Sequence, residues 1–442
     1  MTKNNITAWS FVVALGGFLF GFDTAVISGA ERAVQVYWNL SEVEHGVTMA
    51  IALLGTVVGA LMGAYPSDKL GRKRTLFIIA ALYFFSAIGT ALAFDWHIFI
   101  VFRFFGGIGV GVSSVTAPIY ISEIAPPDRR GKLVGLFQFN VVLGILMSYL
   151  SNYLIGQGGE HSWRWMLGVQ AFPAALFYVL IHFVPESPRW LLLYRQNRDA
   201  AIHVLKRINP QNYLKDMESI LASVQVGRMD MAADPLFSKK YRLPVMLAIL
   251  FAVFNQVSGI NAIIYYAPRV FEMAGLGAQS SLLSTVGIGL VNFTFTLIAI
   301  NFIDKIGRRR LMLIGSFGLI AALGLVSHSF YSAEPDGIAV TIYLMVYIAF
   351  FAFSQGAVIW VFISEIFPNE VRAKGQTLGS LTHWVMAAVI TFFFPMLAER
   401  LGGGDTFLIF TGFMVLQLLF VWKVMPETKG KSLEQIGGNM MH

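Results

Sequence analysis

Charges along this chain are sparse and clustered, and the stretches between them are long and apolar. Residues 46–67, 75–94, 133–159, 165–185, 243–268, 273–303, 311–333, 337–364, 375–398 and 406–422 carry no charge. Most of these exceed the roughly 20 residues a helix needs to cross about 30 Å of hydrocarbon. Two more stretches, 8–30 and 97–121, share the character but each holds one charge, Asp23 and Arg103. The pattern predicts twelve membrane-spanning segments. They must be helices, because lipid offers backbone amides no partners, and the roughly ten-residue alternating segments of a membrane barrel are missing.

Composition agrees with that reading. The chain is 56% hydrophobic and 13% charged, with a mean hydropathy of +0.66, whereas about a quarter of a soluble chain is charged. A net charge of +7 invites a nucleic-acid partner until the charges are placed. Of 32 Lys and Arg, 27 fall in one alternating set of loops, four (Arg32, Arg164, Arg269 and Arg400) in the other, and Arg103 within a span. That asymmetry is membrane topology, and it predicts that both termini are cytoplasmic. There are no cysteines, which excludes disulfides, thiolate catalysis and cysteine metal sites. No cleavable signal is expected, since the first apolar stretch is too long and lacks a basic leading region.

Short polar segments recur. Asp68-Lys-Leu-Gly-Arg-Lys-Arg74 returns as Asp304-Lys-Ile-Gly-Arg-Arg-Arg310, an offset of 236. Ile121-Ser-Glu-Ile124 with Pro126 and Arg130 returns as Ile363-Ser-Glu-Ile366 with Pro368 and Arg372, an offset of 242, and Pro185-Glu186 returns as Pro426-Glu427, an offset of 241. Three similar offsets argue for an all-α membrane protein of two six-helix parallel repeats. The expected parts are an N-terminal bundle over 1–185, a cytoplasmic linker with short helices over 186–242, a C-terminal bundle over 243–425 and a tail over 426–442.

An ionised group at membrane depth is expected to face the bundle interior with a partner. Asp23 and Arg103 lie eight and six residues from the ends of their spans, so both are roughly 10 Å deep at 1.5 Å per residue. Two opposite charges at one depth form an ion pair. It is either a static structural contact or a group that exchanges its arginine for a proton as the conformation changes. At the cytoplasmic ends, Asp68 with Arg72, Asp304 with Arg308, Glu123 with Arg130 and Glu365 with Arg372 suggest charge networks acting as a gate. Amides and aromatics collect on apolar helices: Gln138, Asn255, Gln256, Asn261 and Asn292, with Tyr265, Tyr266, Trp360, His383 and Trp384. They are either interhelical hydrogen bonds or a site for a neutral polyhydroxylated ligand, a sugar. Gln256 and Asn261, five residues apart, face one ligand only if the helix breaks, and Gly259 offers the break.

Over essentially the whole chain these residues resemble the sugar porters of the major facilitator superfamily, and in motif the bacterial proton-coupled monosaccharide symporters. The likeness rests on Gly16-Gly-Phe-Leu-Phe-Gly-Phe-Asp23, Asp68 to Arg74, Arg103 with Gly106-Gly-Ile-Gly109, Tyr120 to Gly131, Pro185-Glu-Ser-Pro-Arg189, Gln256 to Tyr266, Asp304 to Arg310, Glu365 to Arg372 and Pro426-Glu-Thr-Lys-Gly430. The resemblance implies alternating access with one monosaccharide, a hexose or pentose. It matches Phe20, Gln138, Gln256, Asn261, Asn292, Trp360 and Trp384 to sugar contacts, Tyr265 and Tyr266 to the extracellular gate, and Asp23 with Arg103 to the proton-coupling pair. Three positions depart from the family pattern: Asn255 replaces a glutamine, the run Ser354 to Trp360 lacks the usual prolines and implies a milder helix break, and His383 replaces an amide and is read as a substrate donor.

The expected partners are a monosaccharide, a proton and the lipid bilayer, with no nucleic acid, no cofactor and no metal, in a monomer of the bacterial inner membrane. A facilitative uniporter of the same fold is the nearest alternative. A sugar sensor is disfavoured by the short segment from Pro426 onward. An enzyme is disfavoured because no nucleophile, base and orienting group come together in the sequence.

Overall fold

The computed structural model describes residues 2–126, 129–159, 161–229, 235–368 and 371–430. Residues 230–234 of the expected linker and 431–442 of the expected tail lie outside that set. Among the described residues there is no strand, and eleven helices are long and apolar enough to cross a membrane: Asn5–Tyr37, Glu42–Met62, Arg72–Leu92, Trp96–Ile124, Arg130–Ile155, Ser162–Ile181, Lys239–Met273, Ala278–Ile306, Arg308–Phe330, Gly337–Ile366 and Arg372–Lys423. The last has 52 residues, far more than one crossing needs, and Gly402 interrupts it with φ 76° and ψ 170°. Counting the two sides of that turn separately gives the twelve expected spans, numbered below in chain order.

The chain divides into two compact units. One comprises Met1–Thr24, Leu54–Ser148 and Arg164–Ala232; the other comprises Ala25–Leu53, Tyr149–Trp163 and Ala233–His442. The division cuts the first, second and fifth spans partway along.

In the first unit the helices approach closely through glycine. A Cβ at Gly21 would overlap the Val141 carbonyl, and one at Gly144 would overlap the Phe18 carbonyl, so the first and fifth spans touch backbone to backbone. Lipid supplies no hydrophobic drive between helices, and such small-residue contacts supply the van der Waals packing instead. The linker helices Pro188–Leu193, Arg198–Ile208 and Tyr213–Met229 close on a small apolar core of Leu192, Ala201, Leu205 and Met217.

The second unit holds the broken helices. In the seventh span, helix Arg242–Val257 ends and Ile260–Met273 begins across Gly259, whose φ of +85° only glycine adopts without strain and whose α-hydrogen faces Phe410. In the tenth span the interruption falls at Ser354 (φ −115°, ψ −89°) without any proline. The Ser354 hydroxyl bonds the Phe350 carbonyl at 2.6 Å, and the next residue, Gln355, enters a buried chain through Gln417 (2.7 Å) to Ser316 (2.9 Å). Polar side chains thus hold a break that the sequence, lacking prolines there, suggested would be mild.

We expect Gly21→Leu to lower the melting temperature of the detergent-solubilised protein by several degrees, because overpacking a tight contact costs about 1–3 kcal/mol or more. Melting followed by size-exclusion chromatography reads this directly; an unchanged midpoint would show that the contact is dispensable.

Candidate functional site

The charged pair at membrane depth forms. Arg103 Nη1 donates to Asp23 Oδ1 at 3.0 Å and Nη2 to the Asp23 carbonyl at 3.4 Å, with both residues only 2% exposed. Gly106, one turn along the fourth span, leaves room for this: a Cβ there would sit 3.5 Å from Asp23 Oδ1 and would overlap Ser86. Only one carboxylate oxygen is engaged by the guanidinium, and Arg103 Nε has no acceptor among the described residues. The pair is therefore not saturated. A half-satisfied buried charge is held less firmly than a bidentate one.

The amide and aromatic residues also converge, within the second unit. Asn261 Nδ2 donates to Gln256 Oε1 at 2.6 Å across the break at Gly259, so the break brings together two residues that a continuous helix would separate. Gln256 Nε2 donates to Asn255 Oδ1 at 2.9 Å and lies 3.3 Å from both ring nitrogens of His383. The His383 ring is flanked by Trp360 (centroids 4.8 Å) and Trp384 (4.9 Å). Trp360 is 38% exposed while Trp384 and His383 are nearly buried. The set carries amides, one imidazole and two indoles and no fixed charge. Gln256, Asn261 and the Asn255 side-chain carbonyl bond one another, and these bonds can be exchanged for the hydroxyls of a neutral ligand. The indoles offer flat apolar faces.

Other expected residues make contacts of their own. Asn292, on the eighth span, receives the Thr296 hydroxyl of its own helix at 3.5 Å. Phe20 and Gln138 belong to the first unit; Phe20 packs on Phe137 with ring centroids 6.4 Å apart. Asn255 Nδ2 finds no acceptor among the described residues.

The two tyrosines of the seventh span are fully buried. Pro268 lacks an N–H, which frees the carbonyl four residues earlier, and that carbonyl, of Ile264, accepts the Tyr149 hydroxyl at 2.8 Å. The backbone leaves the helix at Tyr266 (φ −129°, ψ 18°), whose hydroxyl reaches the Thr391 carbonyl at 2.9 Å.

At the ends rich in Lys and Arg the structure builds the same device twice. Arg72 grips Glu123 with Nε and Nη2, both at 3.0 Å, and Asp68 with Nη1 at 3.0 Å. Arg308 grips Glu365 at 3.2 and 2.7 Å and Asp304 at 2.9 Å. The expected pairings of Glu123 with Arg130 and of Glu365 with Arg372 do not form: Arg130 is exposed, and Arg372 Nε donates to the Phe367 carbonyl at 3.2 Å. The carboxylates choose Arg72 and Arg308 because those residues start a helix directly opposite and offer a bidentate fork.

Sequence reasoning noticed Pro185-Glu186 and Pro426-Glu427 but gave the acids no role. Glu186 accepts the backbone N–H groups of Arg72 and Lys73 at 3.0 and 3.1 Å, and Glu427 those of Arg308 and Arg309 at 3.0 and 3.1 Å. Each caps the positive end of the helix that follows a positive-φ glycine, Gly71 or Gly307. Burial pushes the Glu186 carboxyl above the usual range, against the pull of its N–H donors and Arg72. A duplicated acid paired with a duplicated Gly-Arg was the available signal.

A family described as "Sugar (and other) transporter" matches residues 9–439. The arabinose-proton symporter of Bacillus subtilis (strain 168) is 38% identical over 97% of this chain and 93% of its own. The D-xylose-proton symporter of Escherichia coli (strain K12) is 36% identical over 97% and 94%. The inward open conformation of the xylose transporter XylE from E. coli superposes with a TM-score of 0.87 at 34% identity, covering 98% of this chain and 99% of that one.

Arg103→Ala strands a buried carboxylate, and such a loss costs roughly 3–5 kcal/mol. We expect a marked drop in thermal stability for that variant and a smaller drop for Asp23→Asn with Arg103→Gln, which leaves no charge behind. Equal losses would mean that the attraction contributes little to stability.

Proposed function

Because the chain belongs to the sugar (and other) transporter family, a group of multi-pass membrane transporters and not enzymes, we propose that it couples the uptake of one monosaccharide, a hexose or pentose, to the entry of a proton. The observation that carries this reading is the buried, half-satisfied contact of Asp23 with Arg103. A facilitator has no need of a titratable acid at membrane depth, and such groups mark proton relays.

The coupling works through charge burial. While Asp23 is ionised it requires Arg103; once a proton occupies its carboxylate, the acid is neutral, its hold on the guanidinium is gone and the helices bearing the two groups can move apart. The empty, ionised protein returns with Asp23 held against Arg103, so that no carboxylate is stranded in hydrocarbon. The Gln256, Asn261 and His383 groups bind sugar hydroxyls, with Trp360 and Trp384 against the C–H face. Tyr265 and Tyr266 serve at the extracellular side, which is the end opposite the basic clusters, and the Arg72 and Arg308 networks at the cytoplasmic side, following the positive-inside rule. The roles of Phe20, Gln138 and Asn292 as further sugar contacts rest on the family resemblance. A monomer with both termini cytoplasmic in a bacterial inner membrane fits the short loops.

The energetics suffice. One proton carries about 2.3 kcal/mol per 100 mV of membrane potential and about 1.4 kcal/mol per unit of pH difference. Together they support roughly 500-fold accumulation, at about 1.4 kcal/mol for each tenfold step.

The test uses proteoliposomes. Asp23→Asn is expected to abolish uphill accumulation driven by an imposed pH gradient while retaining exchange of labelled for unlabelled sugar; a variant that still concentrates sugar would remove Asp23 from the coupling role. Gln256→Ala is expected to weaken sugar affinity by about 5- to 30-fold, the worth of one or two buried hydrogen bonds, and an unchanged apparent affinity would exclude the amide cluster as the binding site.

A further inference from the structure

A second buried acid lies on the first span eight residues beyond Asp23, and the transport reading above does not use it. Glu31 is 1% exposed and His45, on the second span, is fully buried. Glu31 Oε2 lies 2.7 Å from His45 Nε2 and 3.6 Å from Arg269 Nη1 on the seventh span. All three residues belong to the second unit. From the sequence Glu31 looks like the mere terminus of an apolar run, yet the helix continues to Tyr37 and carries the acid inside.

The surroundings of this acid tie four spans together. Arg269 Nη1 also donates to Gln35 Oε1 at 3.2 Å. The His45 ring meets the Tyr266 ring edge-on at 6.1 Å, and Tyr266 is fixed to Thr391 of the eleventh span. Further out, Arg32 pairs with Glu272, and Arg400 lies 3.7 Å from Glu42. One residue after His45, Gly46 presses on the Phe392 carbonyl, where a Cβ would lie 2.6 Å away. Counting charges, Glu31 balances Arg269, Glu272 balances Arg32 and Glu42 balances Arg400. An ionised carboxylate only accepts, so His45 Nε2 donates to Glu31, and His45 Nδ1 is left without a partner among the described residues.

We propose that Glu31, His45 and Arg269 form a latch that holds shut the end of the protein opposite the basic clusters, and that its release is a required step of the cycle. A buried carboxylate is tolerable only while its cation and its donor stay in contact. Arg269 comes from the seventh span and His45 from the second, so the acid stabilises one arrangement of these helices and no other. Parting them admits water, which solvates all three groups. The contact is thereby one of two discrete states and not a graded adhesion. Glu31 and Arg269 act through helix position and touch neither sugar nor the coupling proton; they are positioning residues.

The natural chain has no cysteine, so paired labels can be added to it directly. Val36→Cys and Gln279→Cys place two exposed spin labels near the ends of the first and eighth spans, and double electron–electron resonance in lipid nanodiscs reads the populations of short and long separations. Glu31→Gln and His45→Ala are each expected to raise the long-to-short ratio roughly tenfold, and Glu31→Asp to restore much of the short population. Arg269→Gln provides the same reading should either variant fail to fold. Unchanged populations in folded variants overturn the latch. The reading is independent of the coupling role of Asp23: Asp23→Asn is expected to keep the response to Glu31→Gln, so a uniporter would leave the latch intact and a symporter without a latch would show itself equally plainly.

Discussion

Placing a charge in hydrocarbon is costly unless an opposite charge and hydrogen bonds accompany it, and this constraint organises the protein more than any other. Asp23 is buried because Arg103 is buried beside it; Glu31 is buried beside His45 and Arg269. Each acid is compensated by residues on a different helix. The compensation therefore exists only in particular helix arrangements. Uncharged groups, by contrast, make up the cluster around Gln256 and His383, so a neutral ligand can enter it without meeting a desolvation barrier of the same size.

At the basic end the same physics appears in duplicate. A positive-φ glycine turns the chain, an acid from a distant loop caps the exposed amides, and the first arginine of the new helix reaches a glutamate on another span. Thr428 adds a hydroxyl to Glu365 at 2.7 Å in the second copy. Bidentate Arg–carboxylate contacts at the ends of helices are short-range and geometrically demanding, which suits contacts that must either be fully made or fully broken.

The twelve spans were legible because lipid forces the length and apolarity of each crossing, and the run of 52 helical residues still showed as two apolar stretches. The break at Gly259 was legible from a glycine between two amides. The break at Ser354 was not, since it is maintained by Ser354 and Gln355 together with Gln417 of the twelfth span and no proline marks it. Spacing suggested Glu123 with Arg130, seven residues on, but Arg72 wins that acid from 51 residues away, a choice that only the packing of the third span decides. Glu31 escaped notice because a charge near the end of an apolar run reads as the water boundary; the partners that allow it inside, His45 and Arg269, lie on other helices.

The central claim is that proton and sugar cross together because Asp23 cannot stay ionised without Arg103. The most direct measurement follows the pH of a weakly buffered medium outside proteoliposomes as sugar is added, with sugar uptake recorded in the same vesicles. The account predicts alkalinisation that begins with uptake and reaches about one proton per sugar molecule; uptake at full rate with no change in external pH would contradict it.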